Sequence, residues 1–297
     1  MKITPTSIII ALICACVFTC ACSMKTSEKK TITVSLQPQK YFLDKIAGDK
    51  INIVCLLGNG GNPETYEPSM THLAQLENSI AYFQIGHIAF ESAIMEKVRE
   101  NNPHLKIFNN SNGIDLLRGT HGDCPHHHSH NHGCCDDAVV DPHTWSSVKN
   151  AIIIVKNMCD ALIELDPENT EYYKSNYNRL SAHLDSLDSR LTAMLSPKQG
   201  HAFLVWHPSL SYFARDYNLQ QISIGQEGKE TSVQQLQSKI DQANTLNTPV
   251  FFFQKDFDTR QAEVVNRQID AEMVTINPLN YQWEQEIIHI ANAIASK

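Results

Sequence analysis

A short internal tract of this chain is crowded with residues that bind transition metals. Fifteen positions hold six histidines and three cysteines: His121, Cys124, His126, His127, His128, His130, His132, Cys134 and Cys135. Imidazole nitrogen and thiolate sulfur are the donors that zinc prefers, and so polar a tract cannot form a packed core. We interpret residues 120–137 as an auxiliary metal-binding loop. A solubilising insert is the alternative, whereas the internal, interrupted pattern argues against a purification tag.

The first residues have the features of a bacterial export signal. Lys2 precedes the apolar stretch Ile8–Phe18, which is shorter than the roughly 20 residues that a membrane-spanning helix needs. The small residue Ala21 then stands directly before Cys22. This arrangement resembles a lipoprotein signal, so we expect residues 1–21 to be removed and Cys22 to carry a lipid.

Two alternatives remain for this signal. Cys20 is the second candidate for lipidation, and a plain secretory signal without lipid fits the same general pattern. In the favoured interpretation residues 22–30 form a polar tether, and the protein is anchored on the periplasmic side of a bacterial membrane. The formal net charge of −8 and the lack of a basic stripe argue against a nucleic-acid partner.

Strand and helix patterns alternate along the rest of the 297-residue chain, which predicts an α/β fold with mostly parallel sheets. We predict strands over residues 31–36, 51–57, 80–85, 106–109, 203–206, 221–224, 250–253 and 273–276. Long helical patterns cover residues 145–165 and 167–195. The prediction is two Rossmann-like lobes, residues 31–166 and 197–297, joined by a single long helix over residues 167–196.

Four separated segments resemble the metal-binding cluster of ABC-transporter substrate-binding proteins of the zinc/manganese type, also called cluster A-I. They are Asn62–Ser69, Asp141–Trp145, His207–Tyr217 and Ile276–Leu279. Any one of these motifs is weak, but the ordered set is specific and extends over the mature chain. The His-rich insert before the second segment is typical of the periplasmic zinc-binding branch.

The resemblance implies that Glu64, His143 and His207 are the metal ligands, with Asn277 and His87 as further candidates. The zinc-type relatives usually carry histidine where this chain has Glu64. A carboxylate still binds zinc, but it makes the site harder and therefore more tolerant of Mn²⁺. We expect three protein ligands plus water, or a bidentate Glu64.

The resemblance implies high-affinity capture of Zn²⁺ in the periplasm, with Mn²⁺ as the alternative cargo, and delivery of the ion to an ABC permease driven by its ATPase. The protein itself is then a monomer and not an enzyme. One alternative is a lipid-anchored zinc hydrolase with Glu64 as general base, although the chain has no His-Glu-x-x-His motif. The other is a metal-storing or adhesin-type lipoprotein with the same site.

Overall fold

The computed structural model describes residues 29–58, 62–63, 65–118, 140–225, 232–254 and 259–297. The predicted signal peptide, both lipidation candidates Cys20 and Cys22, the predicted ligand Glu64 and the nine histidines and cysteines of residues 121–135 lie outside the described residues. Within the described part of the chain, none of the helices is both long and apolar enough to cross a membrane.

The N-terminal lobe is built on a four-stranded parallel sheet. Its strands are β1 (Thr31–Val34), β2 (Asn52–Cys55), β3 (Ala81–Gln84) and β4 (Lys106–Asn109). They lie in the order β2-β1-β3-β4, and each neighbouring pair is parallel. The accompanying helices are α1 (Gln37–Ala47), α2 (Met70–Glu77) and α3 (Ala89–Asn101).

The C-terminal lobe repeats this topology. Its strands are β5 (Ala202–Val205), β6 (Gln220–Ser223), β7 (Val250–Gln254) and β8 (Glu272–Ile276), in the parallel order β6-β5-β7-β8. Its helices are α6 (Ser211–Asp216), α7 (Val233–Thr245), α8 (Thr259–Asn266) and α9 (Trp283–Ala295). The very apolar run of β7 is buried on both faces, as expected for an inner strand of a parallel sheet.

Two long helices separate the sheets. They are α4 (Val148–Leu165) and the 26-residue α5 (Thr170–Leu195), which is about 39 Å long at 1.5 Å per residue. The buried positions of α5 recur at helical spacing: Tyr173, Leu180, Leu184, Leu187, Leu191 and Leu195. The predicted fold class, two parallel α/β lobes joined by a long helix, is confirmed.

The helix predicted to start at residue 145 begins three residues later. Thr144–Ser146 forms a separate 3-10 turn, and α4 starts after Ser147. The reason is a cap, because the Ser147 side chain accepts a hydrogen bond from the backbone N–H of Asn150. The turn matters for the site because it directly follows His143.

Buried aromatic side chains connect the two lobes through main-chain oxygens. The indole of Trp145 donates to the carbonyl of Pro278 at 2.9 Å, and the indole of Trp283 donates to the carbonyl of Trp145 at 2.7 Å. Trp283 also packs edge-to-face on Phe42 of α1, with ring centroids 4.7 Å apart. These directional contacts keep the lobes in one relative position around the segment that contains His143.

In the N-terminal sheet the strand order reverses between β1 and β3, and buried polar side chains fill that point. Glu91 is 1% exposed, and its carboxylate accepts from the backbone N–H groups of Ile85 and Gly86, both at 2.8 Å. The hydroxyl of Ser35, at the end of β1, donates to the same carboxylate. Glu91 therefore ties the carboxyl ends of both strands together.

Replacement of Glu91 by glutamine should flatten the pH dependence of stability. Burial raises the pKa of Glu91 from 4.5 to about 7, although its hydrogen bonds oppose the shift. Between these values the folded state keeps a proton that the unfolded chain has lost, so stability falls as pH rises through this window. The contribution is on the order of a few kcal/mol.

Urea unfolding at pH 4.5, 5.5 and 7 gives the free energy of unfolding of the parent and of Glu91→Gln. The effect is the difference between the two proteins in how this free energy changes with pH. Glu100→Gln is the control, because Glu100 is an exposed residue of the same helix. If the free energy of unfolding of Glu91→Gln fell with pH as steeply as that of the parent, Glu91 would not titrate in this window.

Candidate metal centre

A small pocket lies where the carboxyl ends of the C-terminal strands face the N-terminal lobe. Its lining consists of Asn62, Pro63, His143, Trp145, His207, Ser209, Gln254, Asn277, Pro278 and Leu279. The cavity volume is about 40 Å³. That is room for a metal ion with a water or two, whereas pockets for organic ligands typically measure roughly 300–1,000 Å³.

His143 is held in one orientation by Asp141. The ring is only 3% exposed, and Asp141 Oδ1 lies 2.8 Å from His143 Nδ1 while also accepting from the His143 backbone N–H at 2.9 Å. A carboxylate can only accept, so the proton of the neutral ring is on Nδ1 and Nε2 is an acceptor. This is the orientation in which Nε2 can bind a metal.

Asp141 is ionised at neutral pH. Burial alone raises the pKa of this carboxyl, but the hydrogen bonds that it accepts from the ring and the backbone of His143, together with a hydrogen bond from Ser211, lower it below its ordinary value. The negative charge therefore lies directly behind the imidazole and increases the basicity of its Nε2.

His207 comes from the other lobe and faces His143. It follows strand β5, and its Nε2 lies 3.1 Å from Nε2 of His143. Two nitrogens bound to one tetrahedral zinc at 2.0–2.1 Å are about 3.3 Å apart, so the pair already has nearly the spacing of two ligands. Burial and the neighbouring His143 lower the pKa of His207 to about 3, while Asp141 partly opposes the shift. A neutral imidazole is therefore present at physiological pH.

Asn277, the candidate fourth ligand, also lines the pocket, directly after β8. Its side-chain oxygen accepts a hydrogen bond from the backbone N–H of Leu279 at 3.1 Å. Its own backbone N–H donates to the carboxylate of Glu286 at 2.7 Å. Asn277 therefore serves as a turn residue in the wall of the pocket, with one of its two acceptor positions already used.

The two remaining predicted ligands are Glu64 and His87. Glu64 is outside the described residues, but its neighbour Pro63 lines the pocket. His87 is exposed, has a φ of 69° and is not among the lining residues. Over the described ranges, no group of three or more His, Cys, Asp or Glu residues could hold a metal ion. The histidine pair thus needs a donor from elsewhere, and Glu64 remains the predicted one.

Two residues of the site were not identified from the sequence. Asp141 stands two residues before His143 inside the motif, where a carboxylate is well placed to orient the imidazole. Gln254 ends β7, and a polar residue after four apolar ones at the carboxyl end of a parallel strand is a signal of a ligand site.

Comparisons of the sequence and the fold with known proteins identify the family of this chain. Residues 32–295 match the family model described as "Zinc-uptake complex component A periplasmic", ZnuA. The high-affinity zinc uptake system protein ZnuA of Bacillus subtilis (strain 168) is 24% identical over 267 residues, which cover 87% of this chain and 81% of the relative.

Two solved structures of ZnuA are similar over almost their whole length. One, described as the crystal structure of ZnuA, has a TM-score of 0.80 and 34% identity, covering 91% of this chain and 99% of that one. The other, a 138-173 deletion mutant with zinc bound, has a TM-score of 0.80 and 35% identity over 90% and 97% of the two chains. The family model covers nearly all of the chain that follows the predicted signal, and the chain therefore belongs to the family of periplasmic zinc-uptake complex component A.

Proposed function

We propose that this protein captures Zn²⁺ in the periplasm and delivers it to an ABC permease. One observation carries the proposal: two buried imidazoles from different lobes face each other with Nε2 atoms 3.1 Å apart, inside a cavity of about 40 Å³. A pocket of this size suits a cation better than an organic substrate. The same size argues against the zinc hydrolase considered from the sequence.

The proposed ligands are His143, His207 and Glu64. Support for Glu64 comes from its neighbours in the chain, because both Asn62 and Pro63 line the pocket. Two neutral imidazoles and one carboxylate leave a net charge of +1 on bound Zn²⁺ and an open fourth position. Imidazole donors favour zinc over manganese, whereas the carboxylate keeps Mn²⁺ as an alternative cargo.

The same proposal includes the partners implied by the family. The permease and its ATPase receive the ion, a lipid on Cys22 holds the protein at the membrane, and the His-rich loop raises the local zinc concentration near the site. The hydrogen bonds of Trp145 and Trp283 between the lobes favour a small rearrangement of the ligand loops on release, rather than a wide opening.

Zinc titration of the mature protein by calorimetry should give one tight site that survives deletion of residues 120–137. The parent with its loop should bind additional Zn²⁺ more weakly, because the loop contains nine potential donors. A manganese titration under the same conditions should give weaker binding. Loss of the tight site together with the loop would favour the metal-storing alternative.

His143→Ala and His207→Ala should each abolish tight zinc binding in the loop-deleted protein. Each substitution removes one imidazole from a site with three proposed protein ligands, so the remaining donors cannot hold the ion. The control is His104→Ala, since His104 is exposed and does not line the pocket. If both site variants bound zinc as the parent does, the ion would be held elsewhere.

Asp141→Asn should weaken zinc binding about tenfold to a hundredfold, because a carboxylate behind a ligand histidine fixes its tautomer and raises its basicity. Competition with a zinc chelator measures this change. Asp188→Asn is the matched control, because Asp188 lies on the linking helix and accepts a hydrogen bond from Tyr217 at 3.0 Å. Equal affinities of the two variants would contradict the orienting role of Asp141.

A further inference from the structure

Gln254 has an acceptor atom that the protein leaves unused. The residue is 7% exposed and lines the same pocket as His143 and His207. Its Nε2 donates to Ser209 Oγ at 2.9 Å and to the backbone carbonyl of His207 at 3.4 Å. Its Oε1 is buried and has no hydrogen-bond partner among the described residues.

The two bonds of Nε2 determine which way the amide faces. The carbonyl oxygen of His207 can only accept a hydrogen bond, so the atom directed at it must be the NH₂ group of Gln254. Exchange of the amide atoms would place two acceptor oxygens against each other. Because Nε2 is directed at His207 and Ser209, Oε1 is the amide atom that remains for the pocket.

The N-terminal lobe contains a direct comparison. Gln39 is fully buried beside the point where the order of its own sheet reverses, and all of its polar atoms are used. Its Oε1 accepts from the backbone N–H groups of Ser35 and Leu36, and its Nε2 donates to the Phe83 carbonyl and to Asn110. Gln254 lies beside the equivalent reversal, between β5 and β7, with its acceptor unpaired. A buried acceptor at the open end of such a reversal, beside the pocket, is placed for a donor that arrives with a ligand.

We propose that Oε1 of Gln254 accepts a hydrogen bond from the water molecule that completes the coordination of the captured metal. This inference rests on the proposed function. Three protein ligands leave the fourth tetrahedral position of zinc for water, and a metal-bound water is a strong donor that requires an acceptor. Gln254 suits this task better than Asn277, whose oxygen already accepts from Leu279.

Gln254 also connects the bound water to a ligand residue. The amide that accepts from the water through Oε1 also donates through Nε2 to the backbone carbonyl of His207. His207 is the member of the histidine pair that comes from the C-terminal lobe. Since Gln254 is neutral, it holds the water without adding a negative charge that would bind the cation more tightly. Gln254 is therefore a positioning residue, acting through the water rather than as a ligand.

The test measures zinc affinity by competition with a chelator. It compares three proteins that all lack residues 120–137: the parent, Gln254→Met and Thr248→Val. Methionine has a similar length but no amide, so zinc affinity should fall about tenfold to a hundredfold. Thr248→Val is the matched control. Thr248 is 4% exposed, donates to the Ala243 carbonyl at 3.0 Å and precedes the opposite end of β7. Its substitution removes a buried hydrogen bond from the same lobe without touching the pocket, so its zinc affinity should equal that of the parent.

Absorption spectra of the Co²⁺-loaded proteins provide a second readout. The band intensity, which reports coordination number, should be the same in the parent and Gln254→Met, because the water stays on the metal. A higher intensity in Gln254→Met, the sign of a lower coordination number, would make Gln254 a direct ligand and overturn the role through water. Equal zinc affinity in Gln254→Met, or an equal loss in Thr248→Val, would also overturn it. Failure of the parent itself to bind zinc would instead refute the proposed function.

Discussion

The site depends on one hydrogen bond, from Nδ1 of His143 to the carboxylate of Asp141. It directs Nε2 of His143 into the pocket and increases the electron density on that nitrogen. The rest of the fold holds this contact in place. Tyr212 of the C-terminal lobe donates to the main-chain carbonyl of Asp141, and Trp283 donates to that of Trp145. The histidine motif belongs to one lobe, but the other lobe fixes its position, so correct docking of the lobes is a condition for metal binding.

The two lobes show how one topology can serve two purposes. Both sheets reverse their strand order at an inner position, where parallel α/β folds leave a crevice for ligands. In the N-terminal lobe Ser35, Gln39 and Glu91 fill that crevice with hydrogen-bonded side chains. In the C-terminal lobe His207 and Gln254 flank it, and it remains open as part of the pocket. The closed crevice provides rigidity and the open one provides the binding position.

The sequence alone predicted the alternation of elements, because apolar periodicity and turn residues are local properties. It also placed His143 and His207 in the candidate site through the motifs that contain them. Boundaries shifted where a side chain competes with the helix, as Ser147 does before α4. The 3.1 Å separation of the two Nε2 atoms was not predictable, because it depends on how the two lobes pack together. The unpaired oxygen of Gln254 was not predictable either, because it depends on contacts with His207 and Ser209, which are distant in sequence.

The histidine pair also explains how the site can accept its ion with little movement. With Nδ1 of His143 bonded to Asp141, the contact between the rings requires His207 to donate its Nε2 proton to His143. A metal ion that takes the place of this proton needs only a change of tautomer in His207, since burial keeps that ring neutral. The rings therefore move little on capture.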